Sequence, residues 1–84
     1  MINYSDKTRL RKLSLLYEDQ GLETEEEKMS YLQTIVFDSV SPGICMNPDC
    51  DYITDCIEPD ASDGWCKECE TNSIASILVL EEII

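Results

Sequence analysis

The most constraining feature of this chain is a set of four cysteines arranged as two close pairs. Cys45 and Cys50 form a C-x4-C pair, and Cys66 and Cys69 form a C-x2-C pair after fifteen intervening residues. Two such pairs are the sequence pattern of a tetrahedral zinc site, because one tight turn can present two sulfurs to one ion. The pattern predicts one structural Zn²⁺ ligated by Cys45, Cys50, Cys66 and Cys69. Four sulfurs leave no position for a reactive water, so we expect no enzymatic activity from this site.

The fifth cysteine, Cys56, lies between the two pairs and could replace Cys50 as a ligand. The gap from Cys45 to Cys56 would then be long for a metal-binding turn, so we expect Cys56 to be a free thiol. The odd number of cysteines argues against the disulfide framework of a small secreted domain.

The sequence shows no targeting segment. Its N-terminus lacks the uninterrupted apolar region of a signal peptide. No apolar stretch approaches the roughly 20 residues that span a bilayer. We therefore expect a chain without a membrane contact, in a reducing cytoplasm where thiols remain available to a metal.

Size and charge narrow the possible functions. A chain of 84 residues makes one domain at most, and its core is marginal unless a metal or another cross-link supports it. The formal net charge is −12, and residues 45–70 carry eight acidic side chains against one basic side chain. Such a charge repels nucleic-acid phosphates and favours basic protein partners, although a solvated acidic surface with no specific target has the same composition.

The first half of the chain predicts two helices. The first begins at Ser5 or Asp6 and ends before Gly21, which adopts a left-handed backbone at little cost. Its apolar residues recur at helical spacing: Leu10, Leu13, Leu16 and Tyr17. The basic residues of this segment are expected mostly on a solvated face: Lys7, Arg9, Arg11 and Lys12.

The second helix begins with a capping box, in which Thr24 is the N-cap and Glu27 the third helical residue. Its apolar positions predict a helix to about Val40, with Pro42-Gly43 ending it. These positions are Met29, Leu32, Ile35, Val36 and Val40. The short link between the helices predicts an antiparallel hairpin.

The second half predicts a ribbon followed by an apolar helix. The sequence Tyr52-Ile53-Thr54 favours a strand, and the segment returning to Cys66 could pair with it. From Asn72 the chain turns apolar, and a helix capped by Asn72 or Ser73 would be apolar nearly all round, which predicts that most of it is buried. Its β-branched residues leave a strand as the alternative. Any uncovered side of this helix would become an oligomer or partner surface.

Three rival interpretations use the same residues. The W-C-x-x-C sequence ending at Cys69 has a thioredoxin-like form, but only fifteen residues follow it, too few for a βαβ context. The segment from Asn47 to Glu58 partly matches a calcium loop, but Tyr52 stands where the loop needs glycine. Hydrolysis by paired carboxylates lacks any apolar pocket that would hold them together. We expect none of the three.

Residues 38–84 carry an ordered series of motifs: D-S-V-x-P-G-I-C, C-x-Y-x-T, E-P-D, G-W-C-x-x-C and T-N-S-I-x-S-x-L-V-L-x-x-I-I. The series resembles a group of small uncharacterised, zinc-ribbon-like proteins common in bacteriophage and prophage genomes. The resemblance implies that Cys56 is incidental and that the metal ligands are Cys45, Cys50, Cys66 and Cys69. Glu70 stands where the group would carry glycine, a position that often needs a left-handed backbone.

These patterns predict a small zinc-stabilised α+β domain. Its parts are a helical hairpin at residues 1–41, a four-cysteine zinc ribbon at 42–70 and an apolar C-terminal helix at 71–84. The predicted function is a non-enzymatic, acidic protein-interaction module in the cytoplasm of a bacterial host cell, binding a protein with a basic surface. Self-association through the C-terminal helix is a further expectation.

Two alternatives remain open. The first is an inhibitor that mimics DNA, in which the carboxylates of residues 49–70 replace phosphates and block a host defence nuclease or a transcription protein. The second is a nucleic-acid-binding zinc ribbon, which the net charge disfavours. It would require the basic residues to gather on one face: Lys7, Arg9, Arg11, Lys12, Lys28 and Lys67.

Overall fold

The computed structural model describes residues 5–83. Its elements, in chain order, are α1 (Asp6–Asp19), α2 (Glu25–Ile35), β1 (Ser41–Cys45), β2 (Ile53–Ile57), β3 (Gly64–Cys66), β4 (Thr71–Ser76) and α3 (Ile77–Leu80). The predicted α+β class and the two N-terminal helices are therefore confirmed. Residues 1–4 of the predicted hairpin and residue 84 of the predicted C-terminal helix lie outside the described residues.

Helix α1 begins and ends where its sequence predicts. The Ser5 side chain is the N-cap and accepts a hydrogen bond from the Thr8 amide. At the other end Gly21 has a φ of +73°, and the Leu22 amide donates to the Tyr17 carbonyl at 2.9 Å. This is a Schellman ending, which satisfies helix carbonyls that would otherwise lack partners.

The buried face of α1 differs from the prediction. Leu13, Leu16 and Tyr17 are buried as expected, but Leu10 is 57% exposed. The fourth buried residue is Lys12, which has no exposed surface. The expectation that Lys12 lies on a solvated face is wrong, because it shares the inward stripe with Leu16, one turn further along the helix.

Helix α2 has the predicted start but not the predicted end. Thr24 and Glu27 form the reciprocal capping box, and Leu32 and Ile35 are buried. The helix ends at Ile35 with Val36 as its C-cap, so the prediction of a helix to Val40 is wrong. The chain instead turns into β1, which contains Pro42-Gly43. The proline is tolerated there because the register of β1 against β2 is irregular between Ser41 and Gly43.

The four strands form one antiparallel sheet in the order β2-β1-β4-β3. Strands β1 and β2 make one hairpin, and β3 and β4 make a second. The sheet is curled, because the Ile57 side chain on one edge strand reaches Gly64 on the other. The predicted pairing of the Ile53 strand with the segment before Cys66 is wrong, since those two strands are opposite edges of the sheet.

The predicted C-terminal helix over residues 71–84 is wrong for its first half. Thr71–Ser76 is a central strand, paired with both β1 and β3. Its apolar residues Ile74 and Ala75 suit such a position, because successive side chains of a central strand are buried on opposite faces of the sheet. Only Ile77–Leu80 is helical, and Ser76 is its N-cap rather than Asn72 or Ser73.

Alternation along β1 divides the interior into two hydrophobic clusters. Ile44 and Met46 face the cluster shared with the helices, whereas Cys45 faces the smaller cluster that contains Cys66 and Ile74. Strand β1 and the second half of β4 are therefore covered on both faces. Within residues 5–83, no helix has the length and apolar character needed to cross a membrane.

Candidate metal centre

The two hairpins present the four cysteines at the same end of the sheet. Cys45 is the last residue of β1, and Cys66 is the last residue of β3. Cys50 and Cys69 lie in the turns that follow. The first turn is closed by a hydrogen bond from the Cys50 amide to the Asn47 carbonyl at 3.1 Å. Because β1 and β4 pair directly, with Cys45 opposite Ile74, the two turns lie side by side.

The four sulfurs form a compact group. All four Sγ atoms lie within 4.8 Å of one another. The Cys45 and Cys69 sulfurs are 3.5 Å apart, and those of Cys50 and Cys66 are 3.7 Å apart. A tetrahedral ion with bonds of about 2.3 Å to sulfur places its ligands about 3.8 Å from one another. The geometry therefore fits a metal ion held by Cys45, Cys50, Cys66 and Cys69.

The sequence-predicted ligands are the residues that the fold brings together. Cys45 and Cys66 are buried, and Cys50 and Cys69 are partly exposed. Cys56 lies on β2, is exposed and is outside the group of four. The thiol sulfurs match zinc, because a borderline-soft ion prefers soft donors.

Polar side chains around the sulfurs were missed by the sequence analysis. The Asn47 Nδ2 donates to the Cys69 sulfur at 3.2 Å, and the Thr71 hydroxyl lies 3.0 Å from the same atom. The Ser73 hydroxyl lies 3.0 Å from the Cys45 sulfur. Thr71 and Ser73 are two residues apart on β4, so the prediction of a strand there would have placed their side chains on one face of the sheet.

These surroundings separate the pKa values of two of the thiols. Burial raises the pKa of the Cys45 thiol to about 12. Hydrogen bonds, first from Thr71 and then from Asn47, lower the pKa of the Cys69 thiol to about 5. The donors around Cys69 therefore favour a thiolate there, and a bound dication would displace the protons that the other thiols hold.

Lys12 connects α1 to the first cysteine turn. Its Nζ donates to the Asn47 carbonyl at 2.8 Å, the Cys50 carbonyl at 2.6 Å and the Asp51 carboxylate at 2.7 Å. All three donors of the ammonium group are therefore used. They hold the backbone of the turn that carries the Cys50 sulfur, a supporting role typical of groups behind metal ligands.

Two arginines extend this connection on either side of Lys12. The Arg11 guanidinium contacts the Asp51 carboxylate at 3.3 Å. The Arg9 guanidinium donates to the Leu80 carbonyl at 2.8 Å, at the C-terminal end of α3. The Lys12 ammonium, and then the Arg11 guanidinium, hold the pKa of Asp51 below its usual range. Arg11 and Lys12 thus connect α1 to the first cysteine turn, and Arg9 connects it to α3.

The fold is inconsistent with two of the rival interpretations, the thioredoxin-like motif and the calcium loop. The W-C-x-x-C sequence lies at the end of a β-hairpin, whereas a thioredoxin-like motif belongs to a strand–helix context. The segment from Asn47 to Glu58 contains strand β2 and is not a loop between two helices. What the clustered residues can do chemically is bind a metal ion with a complete shell of sulfur ligands.

Comparison with known proteins assigns no family to this architecture, since no family model, no curated protein and no solved structure matches the chain.

Proposed function

We propose that the chain is a zinc-stabilised, non-enzymatic domain that binds a protein partner with a basic surface. The observation that carries the proposal is the group of four cysteine sulfurs within 4.8 Å. A single Zn²⁺ in this position would have a complete tetrahedral shell and no open position for a substrate or an activated water. Its role is to hold the two hairpin turns together.

Such a structural role suits a chain of this size. Metal binding by a four-cysteine site contributes roughly 10–16 kcal/mol of apparent free energy, and in small domains this becomes folding free energy. This stabilisation would extend from the sheet to α1, because Lys12 links the Cys50 turn to that helix. The ion therefore supports the arrangement of all the elements, including the outer surface.

The distribution of charge supports a basic partner. All eight acidic residues of 45–70 are exposed. Five of the six basic side chains contact other groups of the same chain instead of forming one shared basic face. They are Arg9, Arg11, Lys12, Lys28 and Lys67. The surface presented to a partner is consequently acidic, which favours a basic protein and disfavours nucleic acid.

The resemblance of residues 38–84 to phage and prophage proteins supports the cytoplasm of a bacterial host as the place of action. The test is capture from bacterial lysate on the immobilised zinc-loaded protein at physiological salt. We expect a discrete basic protein, whose affinity is then measured with purified components. The chelator-treated protein is the control and should not retain it. Recovery of no partner would contradict the proposal.

The exposed carboxylates of residues 49–70 also favour a second candidate, an inhibitor that mimics DNA. In this case the partner would be a nucleic-acid enzyme, and duplex DNA would compete with the domain for it. Binding of the domain to this enzyme would weaken steeply as the salt concentration rises, because the domain and DNA would both bind the enzyme's basic surface. A captured partner that binds the domain and DNA at the same time would exclude this candidate.

A further inference from the structure

An apolar groove runs between α2 and the segment that follows α3. Its lining residues are Met29, Leu32, Gln33, Val36, Glu81 and Ile83, and its volume is about 350 Å³. This groove, which we name the α2 groove, has a volume within the usual range of about 300–1,000 Å³ for ligand-binding clefts. It lies apart from the four cysteines, and neither the metal centre nor the sheet uses it.

The α2 groove leaves large apolar side chains in contact with solvent. Met29 is 55% exposed, Val36 40% and Ile83 48%. Phe37, directly after Val36, is 89% exposed. Exposed apolar side chains that line a groove are typical of binding sites in soluble proteins. Methionine in such a groove can repack around different apolar side chains.

The backbone around the groove indicates the conformation of its occupant. The amides of α2 bond within their own helix. The amides of Glu81, Glu82 and Ile83 donate to carbonyls of the preceding turn at 2.9–3.0 Å. The groove walls therefore offer no strand edge to which an extended segment could add. This favours an occupant that satisfies its own backbone groups, as a helix does.

The charges around the groove indicate the chemistry of the occupant. Glu25 and Glu26 lie one turn before Met29 on the same face of α2, and both are exposed; the Glu25 carboxylate also lies 3.5 Å from the Lys28 ammonium. Glu81 lines the opposite wall and accepts a hydrogen bond from the Tyr17 hydroxyl, and the exposed Glu82 lies 3.8 Å from the Arg9 guanidinium. The four glutamates outnumber the two basic side chains that contact them, so this acidic rim keeps a net negative charge that is complementary to lysine and arginine. A second copy of the chain is disfavoured, because it carries the same rim and the same net charge of −12.

We propose that the α2 groove binds an amphipathic helix with basic flanks, whose aliphatic residues recur every three or four positions. This inference rests on the proposed function and names the contact by which the domain holds its basic partner. Met29, Val36 and Ile83 contact the aliphatic stripe, while the glutamates of the rim pair with lysine or arginine beside it.

The test uses a synthetic helical peptide of about 18 residues, with leucines on one stripe and lysines on both flanks. Binding to the zinc-loaded protein is followed by fluorescence anisotropy of the labelled peptide. The double variant Met29→Gln/Val36→Gln should weaken binding at least about tenfold. The matched control is Leu10→Gln/Val40→Gln, at residues 57% and 44% exposed that do not line the groove. It should remain within about twofold.

A peptide with glutamate in place of lysine should not bind measurably. Equal affinities of the groove and control variants would overturn the inference, as would absence of binding by the lysine peptide. Sedimentation of the free protein tests self-association, and a dimer abolished by Met29→Gln/Val36→Gln would assign the groove to a second copy instead. If the groove variant keeps a partner captured from lysate, the proposed function stands and the groove inference fails.

Discussion

The buried ammonium of Lys12 lies 2.7 Å from the carboxylate of Asp51, the residue that directly follows Cys50. Asp51 is 49% exposed at the side chain, whereas Lys12 has no exposed surface. The charge of a fully buried lysine is tolerated only because the carboxylate and two carbonyls replace its water shell. The position of the Cys50 sulfur therefore depends on a side chain 38 residues earlier in the chain.

Replacing this lysine should weaken both folding and metal binding. Lys12→Met keeps the apolar length of the side chain but removes all three hydrogen bonds, leaving the carbonyls of the turn without their donor. We expect a loss of about 2–3 kcal/mol in the free energy of unfolding, measured by urea denaturation at fixed zinc. Zinc affinity, measured by competition with a chelator, should fall as well.

The control for this substitution is Lys7→Met, at an exposed lysine of the same helix. It should change the free energy of unfolding by no more than about 0.5 kcal/mol. If Lys12→Met were as stable as Lys7→Met, the ion pair would not connect α1 to the cysteine turn.

The contrast between Lys12 and the cysteines shows what the sequence could reveal. The short gap within each cysteine pair is a local property that can be read from the sequence. Two such pairs are the pattern of one metal site, so the sequence predicted the proximity of Cys45, Cys50, Cys66 and Cys69. The burial of Lys12 depends on hydrogen-bond acceptors in a turn that is distant in sequence, so its positive charge led to the prediction of a solvated residue. Its position one turn before Leu16 was the available signal.

Single replacements of the cysteines test the ligand set. The purified protein should hold one zinc per chain, measured by elemental analysis against protein concentration. Cys50→Ser should lose most of this zinc, because three sulfurs remain for a site that needs four. Substitution of cobalt should give the absorption typical of tetrahedral thiolate coordination in the wild type and not in this variant.

Cys56→Ser is the matched control for that measurement, because Cys56 lies on the neighbouring strand and is outside the group of four. It should keep full zinc content. The opposite result, with zinc lost from Cys56→Ser and kept in Cys50→Ser, would mean that the ligand set is wrong.

The C-terminal segment shows why secondary structure was harder to predict than the site. Residues 74–80 are apolar except for Ser76, and such a run is shared by a buried helix and a central strand. Residues 71–76 form a strand because they pair with β1 and β3, and no local feature of the sequence reveals this pairing. The capping residue was present in the sequence, but it is Ser76, four residues before the end of α3.

Glu70 offers a stabilising substitution. Its φ of 55° places it in the left-handed region, as the missing glycine predicted. Glu70→Gly removes the steric cost of a side chain in this conformation but raises the conformational entropy of the unfolded chain. We expect a net gain of about 0.5–1 kcal/mol in the free energy of unfolding. Urea denaturation at fixed zinc measures it. Glu68→Gly, two residues earlier and outside the positive-φ positions of the described chain, should lower stability instead.

Gly43 is required by the close approach of its neighbours. A Cβ at this position would lie 2.9 Å from the Ala75 carbonyl oxygen and 2.9 Å from the Ile57 side chain. The carbonyl belongs to the central strand and cannot move without disturbing the pairing of β1 with β4. Gly43→Ala should therefore cost about 1–3 kcal/mol, measured by thermal or urea unfolding. Unchanged stability would show that the two central strands can separate slightly.

The capping box of α2 allows a prediction for both stability and pH. Thr24→Ala removes the acceptor for the Glu27 amide and should cost about 1 kcal/mol. The backbone amides of Thr24 and then Glu23 lower the pKa of Glu27 below its ordinary value. Because the folded pKa is the lower one, Glu27 stabilises the fold above the unfolded value and loses this contribution as the pH falls through the folded value.

Between about pH 6 and 8 the carboxylate is ionised in the folded and unfolded states alike. The difference in unfolding free energy between the wild type and Glu27→Gln should therefore be constant across this range, with the wild type more stable. Glu26→Gln, at an exposed neighbour outside the capping box, is the control and should show a smaller difference. A difference that varied with pH in this range would require another titrating group to contact the box, and would contradict the assignment of its stabilising effect to Glu27 alone.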